Sequence, residues 1–303
     1  MKPFSFLCGT LAISSWTRAF THHSSIRSSF VQTTQPWTTP HDSWVSTKLS
    51  MSLQPVYDEL CNTVASRLGL QRTDFTDQLG ASTWQASSGV QGAADWWSET
   101  SPKFLTGVTT CTRKNAGGGG SGGAMQEELT INIWMGPSYD VPHMLLTFGQ
   151  AGASDYHITA DYVPRGATVM GGDPQYLEAY FGAPVQAAWN SAYQAGMALP
   201  PTPEFDLRLL DSPVKLSVTG LSASQAEALS RDHLNRFLTF VDAAQPIAAR
   251  LRGSFNLRDD KLRQFYYKGQ LAKQVASLGP ELGPTVAAVV TGPTAEAYVG
   301  GGS

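Results

Sequence analysis

Between residues 141 and 182 the hydrophobic positions alternate twice and then change period. In HMLLTFGQ, Met144, Leu146 and Phe148 share one parity, while His143, Leu145 and Thr147 share the other. In YHITADYV, Tyr156, Ile158, Ala160 and Tyr162 alternate with His157, Thr159 and Asp161. A period of two is that of a strand with one face in a core. The glycine-bearing AGAS between the runs is hairpin-sized, so the two strands are expected to pair antiparallel. Asp173 and Pro174 then supply an N-cap and a first-turn proline. Tyr176, Leu177, Tyr180 and Phe181 form one helical face, and Gly182 closes it. The polar parity of the second strand, His157, Thr159 and Asp161, either meets water or lines a pocket.

The same two periods organise the flanks. Val56, Leu60, Cys61, Val64 and Leu68 predict a helix from Leu53, with Gly69 just past its end. ASTWQASS, KFLTGVTTCT and EELTINIWMG read as strands. The third is the clearest, with Leu129, Ile131 and Ile133 alternating against Thr130, Asn132 and Trp134. The Trp96-Trp97 pair can stack on a planar ligand or pack inside. The tract AGGGGSGGA, residues 116–124, has no side chains to pack and no Lys-Ser/Thr or helix pattern after it. It reads as a flexible hairpin loop and not as a phosphate cradle. APVQAAWNSAYQAGMALP is a second helical segment closed by Pro200 and Pro201, and SPVKLSVTG is a short strand. Ser222 and Gln225 form a capping box. The long helix behind it carries Leu234, Phe237, Leu238 and Val241 until Pro246 kinks or ends it.

Length changes the picture at the N-terminus. A chain of 303 residues suits one domain of about 250 residues plus an extension. Lys2 precedes the apolar run FSFLCGTLAI, too short to span a membrane, and Thr17-Arg18-Ala19 offers a small-x-small cleavage site. A Ser/Thr-rich stretch begins at Phe20 and carries no acid until Asp42. Residues 1–50 are therefore expected to be a targeting presequence, a signal peptide over 1–19 followed by a transit peptide. That series resembles the bipartite plastid presequence of algae with secondary plastids; an ordinary secretory or mitochondrial leader is the alternative. Residues 53–293 form the expected domain and 294–303 a disordered tail. No later run is long and apolar enough to be transmembrane.

Beyond residue 50 the chain holds 17 basic and 23 acidic residues, which argues against nucleic-acid binding. Against that acidic background, residues 250–273 carry seven basic residues and only two acids, Asp259 and Asp260. This local positive patch, Arg250, Arg252, Arg258, Lys261, Arg263 and Lys268 among it, is either a solvated helix face or a dock for an acidic protein. Cys8, Cys61 and Cys111 show no metal spacing and no disulfide framework. The histidines His41, His143, His157 and His233 have no ligand spacing either, so no metal site is expected. There is no GxGxxG after a strand, no Walker loop, no HExxH, no CxxC and no GxSxG. An oxidoreductase built on this chain would take its electrons from outside it.

The central block, HMLLTFGQ, ITADYVPRGATVM and DPQYLEAYF, resembles that of the red chlorophyll catabolite reductases. SVTGLSAS and RDHL are similar to that family's late strand and following helix, and Asp259-Asp260 before Gln264-Phe265 to its DD-x-x-x-Q-F element. The resemblance implies the fold of the bilin reductases, an α/β/α sandwich with a central antiparallel sheet flanked by helices. It implies an open-chain tetrapyrrole between the sheet and the C-terminal helices, no bound flavin or metal, and reduced ferredoxin as electron donor. The implied reaction saturates one methine-bridge double bond of red chlorophyll catabolite, giving a primary fluorescent catabolite.

Carried over residue by residue, the resemblance makes Asp260 the first choice of proton donor and Asp161 the second. A carboxyl in an apolar pocket suits that role because desolvation favours its protonated form. Gln150, His157 and Arg165 join Thr147 as substrate-binding positions. Arg165 could hold a pigment propionate bidentately or simply pair with Asp161. Thr147 stands where the family carries a glutamate. A hydroxyl can donate a hydrogen bond but is no acid near neutral pH. The protein could therefore reduce the same pigment through Asp260 and a water, act on another bilin, or bind a tetrapyrrole without reducing it.

Overall fold

The computed structural model describes residues 53–73, 83–87, 89–98, 108–116, 126–150, 155–165, 174–199, 212 and 214–291. All of these belong to the compact unit Met51–Ser303. The expected presequence at 1–50, the expected glycine-rich loop past Ala116 and the expected tail at 294–303 lie outside the described residues, as does Asp173.

Among the described residues the chain forms nine strands in one sheet, every pairing antiparallel. They are β1 (Gln71–Thr73), β2 (Thr83–Gln85), β3 (Val90–Ser98), β4 (Val108–Ala116), β5 (Gln126–Trp134), β6 (His143–Gln150), β7 (Tyr156–Val163), β8 (Met197–Ala198) and β9 (Leu216–Leu221). The spatial order is β1-β3-β4-β5-β6-β7-β9-β8, with β2 also pairing to β3. From β3 to β7 each strand pairs with the next in sequence, so that stretch is a meander. The pairing of β6 with β7 is the predicted hairpin, with Met144 opposite Tyr162 and Gln150 opposite Tyr156. ASTWQASS holds only the three-residue β2. Trp96 and Trp97 lie on β3, a strand with no clean alternation to announce it.

Two layers of helix cover the sheet. On one side lie α1 (Gln54–Leu68), α2 (Pro174–Phe181), α3 (Ala183–Ala195) and α4 (Ala223–Ala243). The apolar parities of β5, β6, β7 and β9 meet them, and Ile131, Ile133, Met144, Leu146, Phe148, Ile158 and Val218 are all at most 1 % exposed. Each such side chain contributes roughly 1.5–3 kcal/mol on burial, so this face is the main core. Tyr162 lies flat against His233 of α4 and donates its hydroxyl to the His233 carbonyl at 2.9 Å. The predicted capping box is present, Ser222 accepting from the Gln225 amide while Gln225 returns a bond to the Ser222 amide. Ser222→Ala should lower stability by about 1 kcal/mol, read as a shift of the urea midpoint at unchanged slope.

The other side is covered by one long element, α5 (Ala249–Thr291). Its helix breaks at Gly279, whose φ of 86° is left-handed, and Pro280 opens a second arm. The arms fold back on each other so closely that a Cβ on Gly283 would fall 2.6 Å from the backbone of Val275. The second arm packs over the β3 side, with Val289 against Ala94 and Val286 and Val290 against Ala86. The first arm lies along β5. The result is the α/β/α sandwich with a central antiparallel sheet. Among the described residues, no helix is long and apolar enough to cross a membrane.

Candidate functional site

The polar parity of the sheet faces α5, and its cross-strand registers arrange it in rows. The outermost row joins Trp134 and His143, whose rings meet edge to face at 5.1 Å. Next come Asn132, Leu145 and Asp161, directly opposed on β5, β6 and β7. The third row is Thr130, Thr147, Thr159 and Ser217, four hydroxyls in register across β5, β6, β7 and β9. Thr130 and Thr147 Oγ1 lie 3.4 Å apart, and Thr159 Oγ1 lies 3.1 Å from Ser217 Oγ. The fourth row is Glu128, Gly149 and His157.

The first arm of α5 covers only part of this face. Three contacts fix its course. Asp259 meets His143, Tyr266 Oη accepts from Asn132 Nδ2 at 3.3 Å, and Lys273 Nζ reaches Glu128 at 3.0 and 3.1 Å. Thus the arm runs along β5, and Thr130 beneath it is 8 % exposed. Past its flank, Leu145, Thr147, Thr159, His157 and Ser217 remain half-exposed. Helical spacing turns Leu262, Phe265 and Gly269 to that flank, opposite the side that meets the second arm. The outcome is an amphipathic shelf with a hydroxyl floor and an apolar wall. It offers hydrogen bonds to pyrrole and carbonyl groups and a surface on which a flat conjugated system can lie.

One end of the shelf is closed by a buried ionic cluster. Arg165, 0 % exposed, gives Nε to Asp259 Oδ1 at 3.0 Å and Nη2 to Oδ2. Its remaining donors go to the carbonyls of Tyr139, Val141 and Gly136 at 2.8, 3.2 and 3.0 Å. The Met135 amide donates to His143 Nδ1 at 2.9 Å, so the His143 proton is on Nε2, 3.1 Å from Asp259 Oδ1. Burial pushes His143 down to about 4, against the pull of Asp259, and keeps the ring neutral. Burial alone would raise the Asp259 carboxyl; His143 and Arg165 outweigh it and hold it below the ordinary carboxylate range.

The expected site residues divide accordingly. Thr147 and His157 stand on the shelf. Asp161 belongs to the same sheet face but is 3 % exposed, its Oδ2 accepting from the Ser212 amide at 3.1 Å. Gln150 has the opposite parity: it is buried on the side of α1 and α4, away from Thr147. Arg165 pairs with Asp259 and not with Asp161, and its enclosure leaves no room for a propionate in this arrangement. Of the two adjacent acids on α5, Asp259 is buried and Asp260 is exposed, because their side chains point about 100° apart on the helix. Of the basic patch, Arg250, Arg258, Lys261 and Lys268 are exposed and Arg252 half-buried. Arg263 is 5 % exposed, its Nε bonded to the Thr291 carbonyl and its guanidinium over Trp134, so it belongs to the packing of the two arms and not to an outer surface.

Sequence reading placed Thr159 on the polar face but missed Thr130 and Ser217 of the third row and the Glu128–Lys273 pair. The signal available for the row was the shared polar parity of Thr130, Thr147, Thr159 and Ser217 on four strands. Among the described residues, no group of three or more His, Cys, Asp or Glu side chains could hold a metal ion. A separate groove of about 700 Å³ lies among α2, α3 and the approach to β9, lined by Leu177, Trp189, Tyr193 and Lys215. It shares no residue with the shelf.

The fold, an α/β/α sandwich, has a counterpart among solved proteins. Among solved structures it is similar to phytochromobilin synthase from tomato in complex with biliverdin. The TM-score is 0.59, over 78 % of this chain and 81 % of that one, at 14 % sequence identity. No protein-family model matches the sequence, and no curated protein matches it.

Proposed function

We propose that this protein reduces a linear tetrapyrrole with electrons from reduced ferredoxin, and that its pigment is red chlorophyll catabolite, converted to the primary fluorescent catabolite. The observation that carries this reading is the set of half-exposed hydroxyls, Thr147, Thr159 and Ser217, on the sheet face beside α5. It lies between sheet and C-terminal helix, where the resemblance to red chlorophyll catabolite reductases expects the pigment. A bilin reductase fold, whose tomato example was solved with biliverdin, supports a ligand of that shape. The exposed cations Arg250, Arg258, Lys261 and Lys268 support docking of an acidic iron–sulfur protein on the outer side of the arm. The leader at 1–50 supports a plastid address.

A second reading follows from the acids. Asp259 is held as a carboxylate by Arg165, Asp260 is exposed, and Thr147 replaces the family glutamate. A scaffold in this state could hold a phototoxic pigment without protonating it. The deciding experiment supplies red chlorophyll catabolite and reduced ferredoxin anaerobically and follows absorbance and blue fluorescence. Loss of the red absorbance with growth of fluorescence supports the reductase. Pigment bound and unchanged supports the carrier, and no binding overturns both. Replacing Thr147, Thr159 and Ser217 together with valine should weaken pigment binding by roughly 100- to 200-fold, at about 1 kcal/mol for each hydrogen bond lost.

A further inference from the structure

Reduction of a methine-bridge double bond takes two electrons and two protons. Two reduced iron–sulfur carriers supply the electrons one at a time, and the protons come from a side chain or from water. The carboxyls around the shelf are already engaged. Asp259 is held by Arg165 and His143, Asp161 accepts from the Ser212 amide, and Asp155 accepts from the Gly220 amide at 2.7 Å. Glu128 is bonded to Lys273 and stands opposite Lys114 of β4 in the sheet register. We infer that the proton donor on the shelf is His157, and that Gly149 is the residue that positions it. The assignment rests on the reductase reading above and gives His157 a role beyond binding.

Three observations place the imidazole. His157 and Gly149 are directly opposed on β7 and β6, in the row next to Thr147 and Thr159. Diagonal neighbours on paired strands lie about 7–8 Å apart, so a pigment on these hydroxyls reaches the edge of the ring. A Cβ on Gly149 would fall 2.6 Å from His157 Cε1 and 3.0 Å from Nε2, so the ring occupies the space above the glycine. Any side chain at 149 would displace it. Finally, the ring is half-buried, and among the described residues its nitrogens meet no hydrogen-bond partner. Such an imidazole keeps both a donor and an acceptor to offer a ligand.

Imidazole is the side chain whose ordinary titration range lies nearest neutrality. The charges facing this ring are mixed. Burial, the largest influence, lowers it; Glu128 of β5 raises it, Lys273 of α5 lowers it and Asp155 of its own strand raises it, with a net fall. One strand further out, Lys114 of β4 is the residue paired to Glu128. The resting ring is therefore neutral at pH 7. The first electron makes an anionic pigment radical beside it, and an adjacent anion favours the imidazolium. The ring takes a proton from solvent. Its N–H bond then breaks as a C–H bond forms on the reduced carbon, and the imidazole is left neutral. The second electron, with a proton from water, completes the saturation.

The test uses the full chain with red chlorophyll catabolite and pre-reduced ferredoxin. His157→Gln should bind the pigment within about tenfold of the wild type, the loss of one hydrogen bond. Its single-turnover rate should fall by about 10²–10⁴-fold, with the one-electron pigment radical accumulating in the EPR spectrum. From about pH 8.5 to 7 the wild-type rate should rise about tenfold per unit, because only the imidazolium donates, and the Gln variant should be flat. Added imidazole should restore part of the rate to His157→Ala, which a purely structural histidine would not allow. Gly149→Ala should slow the wild type and leave His157→Ala unchanged, since no ring remains to displace; equal slowing of both overturns the positioning role. His157→Gln turning over at the wild-type rate overturns the donor assignment and leaves the reductase intact, as does loss of binding in step with turnover. A wild-type protein that binds and never reduces overturns both together.

Discussion

Asp259→Asn should destabilise the protein by about 3–5 kcal/mol, the usual cost of leaving a buried charge without its partner. For a domain of this size that corresponds to a fall in melting temperature of roughly 10 °C. The cause is Arg165, which keeps its charge, is 0 % exposed, and loses a two-point carboxylate. The cluster ties three parts of the chain: the β5–β6 connection through Gly136, Tyr139 and Val141, the end of β7 through Arg165, and α5 through Asp259. Its loss loosens the arm that walls the shelf. Asp260→Asn, one residue on and exposed, should stay within about 0.5 kcal/mol of the wild type. Differential scanning calorimetry of the two variants decides the matter. Equal melting temperatures would mean that the carboxylate clamp does not hold α5 to the sheet.

Acid should unfold the protein well before the carboxylates titrate. His143 and His233 are both 0 % exposed, and burial, the leading cause in each, lowers them to about 4 and about 3. In the unfolded chain each titrates near 6.5, so between pH 6.5 and 4 the unfolded state binds more protons. The stability each neutral ring contributes is complete above about pH 6.5 and is lost as pH falls towards the folded value. By pH 4 this amounts to on the order of 3 kcal/mol for each ring. Asp259 acts lower on the scale. Its depressed carboxyl contributes stability above its unfolded value near 3.9, and this is lost only as pH falls further towards the folded value. Urea midpoints measured from pH 7 to 4 should therefore drop steeply, and His233→Gln should flatten the profile although it is less stable at pH 7. A wild-type midpoint unchanged down to pH 4.5 would show that these rings are not buried as neutral species.

Much of this architecture is legible in the sequence because it rests on local pattern. The period-two runs at β5, β6 and β7 put the right residues in the core, and the Ser222 capping box announces α4. Strand β3 was hidden because its side chains follow no clean alternation. The site was harder for a different reason. Whether Asp259 or Asp260 is buried depends on the phase of α5 against β5, set by Asn132, Tyr266 and the second arm, all distant in sequence. Arg165 reads equally well as a propionate binder until the three backbone carbonyls around it are known. Gln150 lies at a strand end, where parity alone assigns it to the core side. The hydroxyl row exists only once four strands are in register, and β9 joins β7 across a bulge between Tyr156 and Ile158 that no local pattern reveals.

The most direct measurement is an equilibrium titration of the full chain with red chlorophyll catabolite, followed by pigment absorbance, beside a Thr159→Trp variant whose indole fills the shelf. Wild-type binding in the micromolar range or tighter, abolished in a variant with an unchanged circular dichroism spectrum, is the expected result. Equal binding by both proteins would contradict the placement of the pigment on the hydroxyl row, and with it the site on which the proposed reduction depends.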